Sequence, residues 1–216
     1  MNLEQTVPKE TMTFTDMLRK RFKYLLDPLA KALNQMGLMP NTVTILGLVG
    51  NAIGAVLLGL GNITAGGIVI LLMGPIDALD GTMARLRGES SAFGAFVDSV
   101  TDRYSELVIF GGLLVYYLRT ENWLGSLLIY LAAAGSVLVS YVRARGQSLE
   151  MDTKVGLLTR VERFLVLAPC LIINQPMIAL WILAVLTNVT ALQRIADVRR
   201  QAYANNRIAR KNPPKE

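Results

Sequence analysis

The chain has 216 residues, 52% of them hydrophobic, with a formal net charge of +6, a single cysteine and no histidine. A mean hydropathy of +0.41 argues against a soluble globular domain, and the basic residues fall in a few blocks between uncharged runs, unlike the continuous basic face of a nucleic-acid binder. With Cys170 alone and no histidine, an intrachain disulfide, a thiolate or His-ligated metal site and a Ser-His-Asp triad are all excluded.

At the N-terminus, MNLEQTVPKE is polar and lacks the apolar core of a usual signal peptide. Residues 14–36 then alternate apolar and basic positions at helical spacing: Phe14, Leu18, Leu25, Leu29 and Leu33 fall close to one face, while Arg19, Lys20, Lys23 and Lys31 lie on others. This predicts an amphipathic helix on a membrane surface, bent or restarted at Pro28. Six apolar segments follow at 42–61, 63–85, 93–118, 123–145, 161–174 and 177–200, each long enough or nearly so to span a bilayer. The predicted class is therefore an all-α integral membrane protein with six transmembrane helices behind an N-terminal juxtamembrane helix. The expected organisation is an N-terminal segment over 1–41, a catalytic membrane domain over 42–200 and a basic cytoplasmic tail over 201–216, whose last residues NNRIARKNPPKE are expected to be disordered.

Lysine and arginine placement orients the spans. Six basic residues precede the first span, a second block runs through Arg143, Arg145, Lys154, Arg160 and Arg163, and seven more follow from Arg194 onward, whereas the turns at 61–63 and 174–177 hold none. A multi-pass protein of the cell membrane is expected, with both termini and the functional site cytoplasmic.

Between the second and third spans lies DALDGTMARLRGESSAFGAFVDSVTD. Asp77 and Asp80, then Asp98 and Asp102, are spaced three and four apart, which puts each pair on one face of a helix. Ionisable groups in such a place are functional candidates. Two facing pairs of carboxylates repel one another unless cations neutralise them, and Mg2+ or Mn2+ suits such oxygen donors. Gly81 and Ala84 leave a shallow groove on the same face, and Arg85 beside it offers a planar fork to a phosphate. Together they describe a site for a diphosphate-bearing nucleotide.

The pattern Asp77-x2-Asp80-Gly81-x2-Ala84-Arg85-x8-Gly94-x3-Asp98-x3-Asp102 closely resembles the signature of the CDP-alcohol phosphotransferases, with every fixed position present. The resemblance implies a six-helix dimeric membrane enzyme. Its donor would be a CDP-linked lipid, CDP-diacylglycerol or CDP-archaeol, attacked at the β-phosphorus by a small alcohol with release of CMP. It implies a pair of Mg2+ or Mn2+ ions held by Asp77, Asp80 and Asp98 with Asp102 close by, and Asp102 as general base. It also places Asn41 and Thr44 at the cytidine, with Asp77, Gly81, Ala84 and Arg85 along the CDP-lipid. Ser140-Tyr141-x-Arg143-Ala144-Arg145 followed by Arg160-x-Glu162-Arg163 looks like the phosphatidylinositol-phosphate synthase branch, whose acceptor is inositol phosphate. Arg143, Arg160 and Arg194 are then the expected acceptor-phosphate ligands, although Gly146-Gln147 departs from that branch's usual Ala-Glu.

Rival readings are a phosphatidylglycerophosphate or phosphatidylserine synthase of the same family, and a divalent-cation transporter. The transporter accounts for four aspartates but not for Gly81, Ala84, Arg85 and Gly94. A prenyltransferase, which also uses aspartates with magnesium, typically has more helices than six.

Overall fold

A computed structural model describes residues 26–88, 91–153 and 155–211, with side chains described as far as residue 204. The described secondary structure is entirely helical. Helix α1 covers residues 26–35, and its beginning lies outside the described residues. It is followed by α2 (Pro40–Gly59), α3 (Ile63–Arg87), α4 (Ala92–Arg119), α5 (Trp123–Ser148), α6 (Arg160–Ile172) and α7 (Pro176–Lys211). Each of the six apolar segments is thus a helix.

Local chemistry sets the ends. Pro40 opens α2 at a position where its missing N–H is not needed. Gly88 stops α3 at φ +68°, a left-handed cap that glycine takes without strain. Three residues on, Ser91 caps α4 by accepting from the Gly94 N–H at 3.0 Å. The turn between α3 and α4 is therefore short. Asp80 and Asp98 stand at nearly equal distances from it along their helices, roughly 11 Å at the helical rise per residue.

Packing leaves a gap at that level. Helix α2 packs along both α3 and α4, while α3 packs chiefly on α2 and α6 and makes little direct contact with α4. The main apolar core lies toward the other end, where Leu58, Ile70, Phe110, Leu113, Leu171, Leu180 and Leu183 meet. A smaller cluster joins α1 to the bundle: Leu26 and Ala30 bury against Val43, Leu79 and Met83, with Leu33 partly buried beside them. Arg87 ties the same elements together, donating to Asn34 Oδ1 and the Leu38 carbonyl, each at 2.7 Å.

Among the described residues, four helices are long and apolar enough to cross a membrane: α2, α3, α5 and α7 over Pro176–Ala204. Helix α4 carries Asp98, Asp102, Arg103, Glu106 and Arg119. Helix α6 has 13 residues, about 20 Å against a hydrocarbon core of about 30 Å.

One expectation needs correction and one is only partly visible. Residues 201–211 continue α7 as helix, because no glycine or proline interrupts the chain from Met177 to Lys211 and Pro213-Pro214 is the first barrier. Pro28 lies near the beginning of the described part of α1, and whether the helix bends or restarts there falls on residues outside the described ones. Of the expected amphipathic stretch, Phe14, Leu18, Arg19, Lys20, Lys23 and Leu25 fall outside the described residues, as does Lys154. Leu29, expected on the apolar face, is exposed, while Leu26 and Ala30 are buried.

Candidate active site

Asp77 and Asp80 descend from α3, and Asp98 and Asp102 face them from α4 across the gap. Asp98 interacts electrostatically with the other three carboxylates, and Asp77 interacts with Asp80 and Asp102. Among the described residues, no three acidic or cysteine side chains close into a cage that could grip an ion. A cation already lies in the gap. One guanidinium nitrogen of Arg160, at the start of α6, lies 2.5 Å from Asp77 Oδ2 and 2.7 Å from Asp102 Oδ1. The space between these carboxylates thus holds positive charge, and its donors are the hard oxygens that Mg2+ and Mn2+ prefer. The donor set fits such ions.

Helix α2 supplies the next contacts. The Thr44 hydroxyl donates to Asp80 Oδ2 and the Gly81 N–H to Asp80 Oδ1, both at 2.5 Å, so both oxygens of this buried carboxylate are held. Thr44, expected at the cytidine, is here a partner of Asp80. Asn41 is exposed and its Oδ1 approaches Gly94 on α4, lying 4.0 Å from where a Cβ would sit. A Cβ on Gly81 would meet only the Arg85 guanidinium, at 3.5 Å, so the groove beside Gly81 and Ala84 stays open. Arg85 itself is exposed and donates to Thr82 Oγ1 at 2.9 Å. Gly47 is required for space: a Cβ there would stand 2.7 Å from Asp77 Oδ1.

The three arginines expected at the acceptor have different surroundings. Arg160 is bound to the carboxylates. Arg143 is exposed near the end of α5. Arg194 is buried and donates to the carbonyls of Val155 at 3.0 Å and Val139 at 2.7 Å, fastening the loop between α5 and α6 onto α7. In the same loop Leu158 N–H donates to Thr190 Oγ1 at 3.3 Å.

Glu106, one turn beyond Asp102, did not emerge from the motif. It accepts from Arg163 at 2.7 Å and 3.1 Å through both carboxylate oxygens. Arg163 is one turn beyond Arg160, so α4 and α6 are joined by two rungs, Asp102–Arg160 and Glu106–Arg163. The helical spacing of Asp102 to Glu106 and of Arg160 to Arg163 was the only sequence signal for it. Below the second rung, Glu162 accepts from the Thr159 N–H and completes the start of α6.

An all-helical, membrane-compatible bundle with this aspartate segment defines a class, and comparison with known proteins gives it a name. The family model for CDP-alcohol phosphatidyltransferase matches residues 37–192, and the chain belongs to that family of enzymes. It is 39% identical over 201 residues to the phosphatidylinositol phosphate synthase of Streptomyces avermitilis, covering 85% of this chain and 82% of the relative. It is 30% identical over 186 residues to the archaetidylinositol phosphate synthase of Pyrococcus horikoshii, covering 85% and 96%. Two crystal structures of Mycobacterium tuberculosis phosphatidylinositol phosphate synthase share the fold. One, with CDP-DAG bound, gives a TM-score of 0.76 at 29% identity over 81% of this chain and 94% of that one. The other, in complex with manganese and citrate, gives 0.75 at 30% identity over 80% and 88%.

The tight approach of Gly47 to Asp77 has a measurable consequence. Gly47→Ala is expected to displace the Asp77 carboxylate and lower CMP release by about tenfold to a hundredfold, since small misplacements at a reacting centre carry penalties of that order. Steady-state rates, compared with an unchanged size-exclusion profile, check this.

Proposed function

We propose that this chain transfers a phosphatidyl or archaetidyl group from a CDP-linked lipid to the hydroxyl of an inositol phosphate, releasing CMP. The observation that carries the acceptor assignment is Arg160 beside Asp102. An acceptor whose phosphate pairs with that guanidinium presents its hydroxyl near a carboxylate able to take the proton. The names of the relatives in Streptomyces avermitilis and Mycobacterium tuberculosis agree with this acceptor, and the Pyrococcus horikoshii relative leaves an ether-lipid donor open.

Asn41 and the open face at Gly81 and Ala84 receive the CDP moiety, with Arg85 pairing a phosphate of the diphosphate. Asp77, Asp80, Asp98 and Asp102 hold Mg2+ or Mn2+. Bound there, the ions neutralise charge on the diphosphate and on departing CMP. The acceptor oxygen forms a bond to the β-phosphorus, the bond from that phosphorus to the oxygen of CMP breaks, and Asp102 takes the hydroxyl proton. Arg143, Arg160 and Arg194 hold the acceptor phosphate, and Arg194 also fastens the loop that closes this side.

Six membrane crossings, cytoplasmic termini and a cytoplasmic site agree with the clustering of basic residues; a homodimer is the assembly expected from the family resemblance. The test is CMP release by purified protein given CDP-diacylglycerol with inositol phosphate, inositol, glycerol phosphate or serine in turn. Release with inositol phosphate alone, lost in EDTA and restored by Mn2+, is the expected result. Release with glycerol phosphate or serine instead overturns the acceptor assignment.

A further inference from the structure

Arg160 stands at a position that two partners need. Its guanidinium lies between Asp77 and Asp102, two carboxylates whose side chains are only 14% and 12% exposed, while its own side chain is 41% exposed. The carboxylates are largely buried and the arginine reaches them from the solvent-facing start of α6. A cation bound by these two oxygens and the guanidinium cannot fill the same gap.

We propose that Arg160 is a two-position side chain. In the first position it is the counterion of Asp77 and Asp102; displaced by a divalent cation, it turns out to pair with the phosphate of the acceptor. Metal loading thereby creates the acceptor site. The inference rests on the inositol phosphate reading above.

The second rung makes this mechanically simple. Arg163, 3% exposed, grips Glu106 through two hydrogen bonds and also donates to the Leu158 carbonyl at 3.3 Å. Helix α6 is anchored there, one turn away, so the first rung can open without moving the helix. Only the Arg160 side chain needs to rotate. The two carboxylates meanwhile keep a positive partner at every stage, which avoids two facing anions in a poorly solvated gap.

Two binding effects follow. Arg160 competes with the metal, so its removal tightens metal binding. A guanidinium resident on the carboxylates about nine-tenths of the time lowers apparent metal affinity roughly tenfold. The coupling is also reciprocal: whatever factor the metal adds to acceptor affinity, the acceptor adds to metal affinity.

The experiment measures Mn2+ binding to purified, EDTA-stripped protein by calorimetry and by the electron paramagnetic resonance signal of free Mn2+, without turnover. In Arg160→Gln, Mn2+ affinity is expected to rise about tenfold, and added millimolar guanidinium to lower it again toward the wild-type value. In the wild-type protein, inositol phosphate is expected to bind only with Mn2+ present and to tighten Mn2+, and in Arg160→Gln this mutual tightening disappears. Unchanged or weaker Mn2+ binding in Arg160→Gln, with inositol phosphate still bound by the wild type, overturns the switch and leaves the acceptor assignment intact. No inositol phosphate binding to the wild type at saturating Mn2+ overturns both.

Discussion

Asp102→Asn is expected to lower CMP release by about a hundredfold to ten-thousandfold, the range spanned by a general base, while CDP-lipid and Mn2+ still bind. The substitution keeps the size of the side chain while removing its negative charge and its ability to accept a proton. The chain has no histidine to substitute for it, and among its neighbours Asp80 is already engaged by Thr44 and Gly81. Asp102 shares the guanidinium with Asp77 in the metal-free protein, and the substitution changes the local charge by a single unit. Rates with CDP-diacylglycerol and inositol phosphate, set beside calorimetric Mn2+ and CDP-lipid binding, separate the roles. A rate within about threefold of wild type removes Asp102 as the base, and lost Mn2+ binding with lost activity makes it chiefly a metal ligand.

Most of the architecture was legible because apolar run length and turn residues report directly on membrane-type helices. The segment 63–85 became Ile63–Arg87 and 123–145 became Trp123–Ser148, the excess in each case being a polar end that hydropathy alone trims. The aspartate pairs were equally legible, since three- and four-residue spacing is a local property. What stayed hidden depends on partners distant in sequence. Arg160 meets Asp77 across 83 residues and Arg163 meets Glu106 across 57, and no periodicity within one helix encodes such meetings. For the same reason the hydrogen bond from Thr44 to Asp80 and the grip of Arg194 on two backbone carbonyls were not legible in the sequence. The extension of α7 beyond residue 200 was missed for another cause: a basic, asparagine-containing composition suggested disorder, yet no residue there breaks a helix before Pro213.

The Glu106–Arg163 rung carries the largest expected effect on stability. Arg163→Leu leaves Glu106, whose side chain is 20% exposed, without the cation that holds both of its oxygens, and removes the donor to the Leu158 carbonyl. Breaking one side of a buried ion pair destabilises by about 3–5 kcal/mol, because the remaining charge is left poorly solvated. For a chain of this size that corresponds to a fall of roughly 10 °C in the unfolding midpoint in detergent. The double variant Glu106→Leu/Arg163→Leu is expected to recover most of this loss, since replacing both partners by apolar groups removes the unpaired charge along with the bridge. Its CMP release should nevertheless stay below wild type, because α6 has lost the anchor that presents Arg160 to the carboxylates. A double variant as unstable as Arg163→Leu would place the loss in packing around the arginine. A double variant with full activity would show that α6 needs no second rung to position the first.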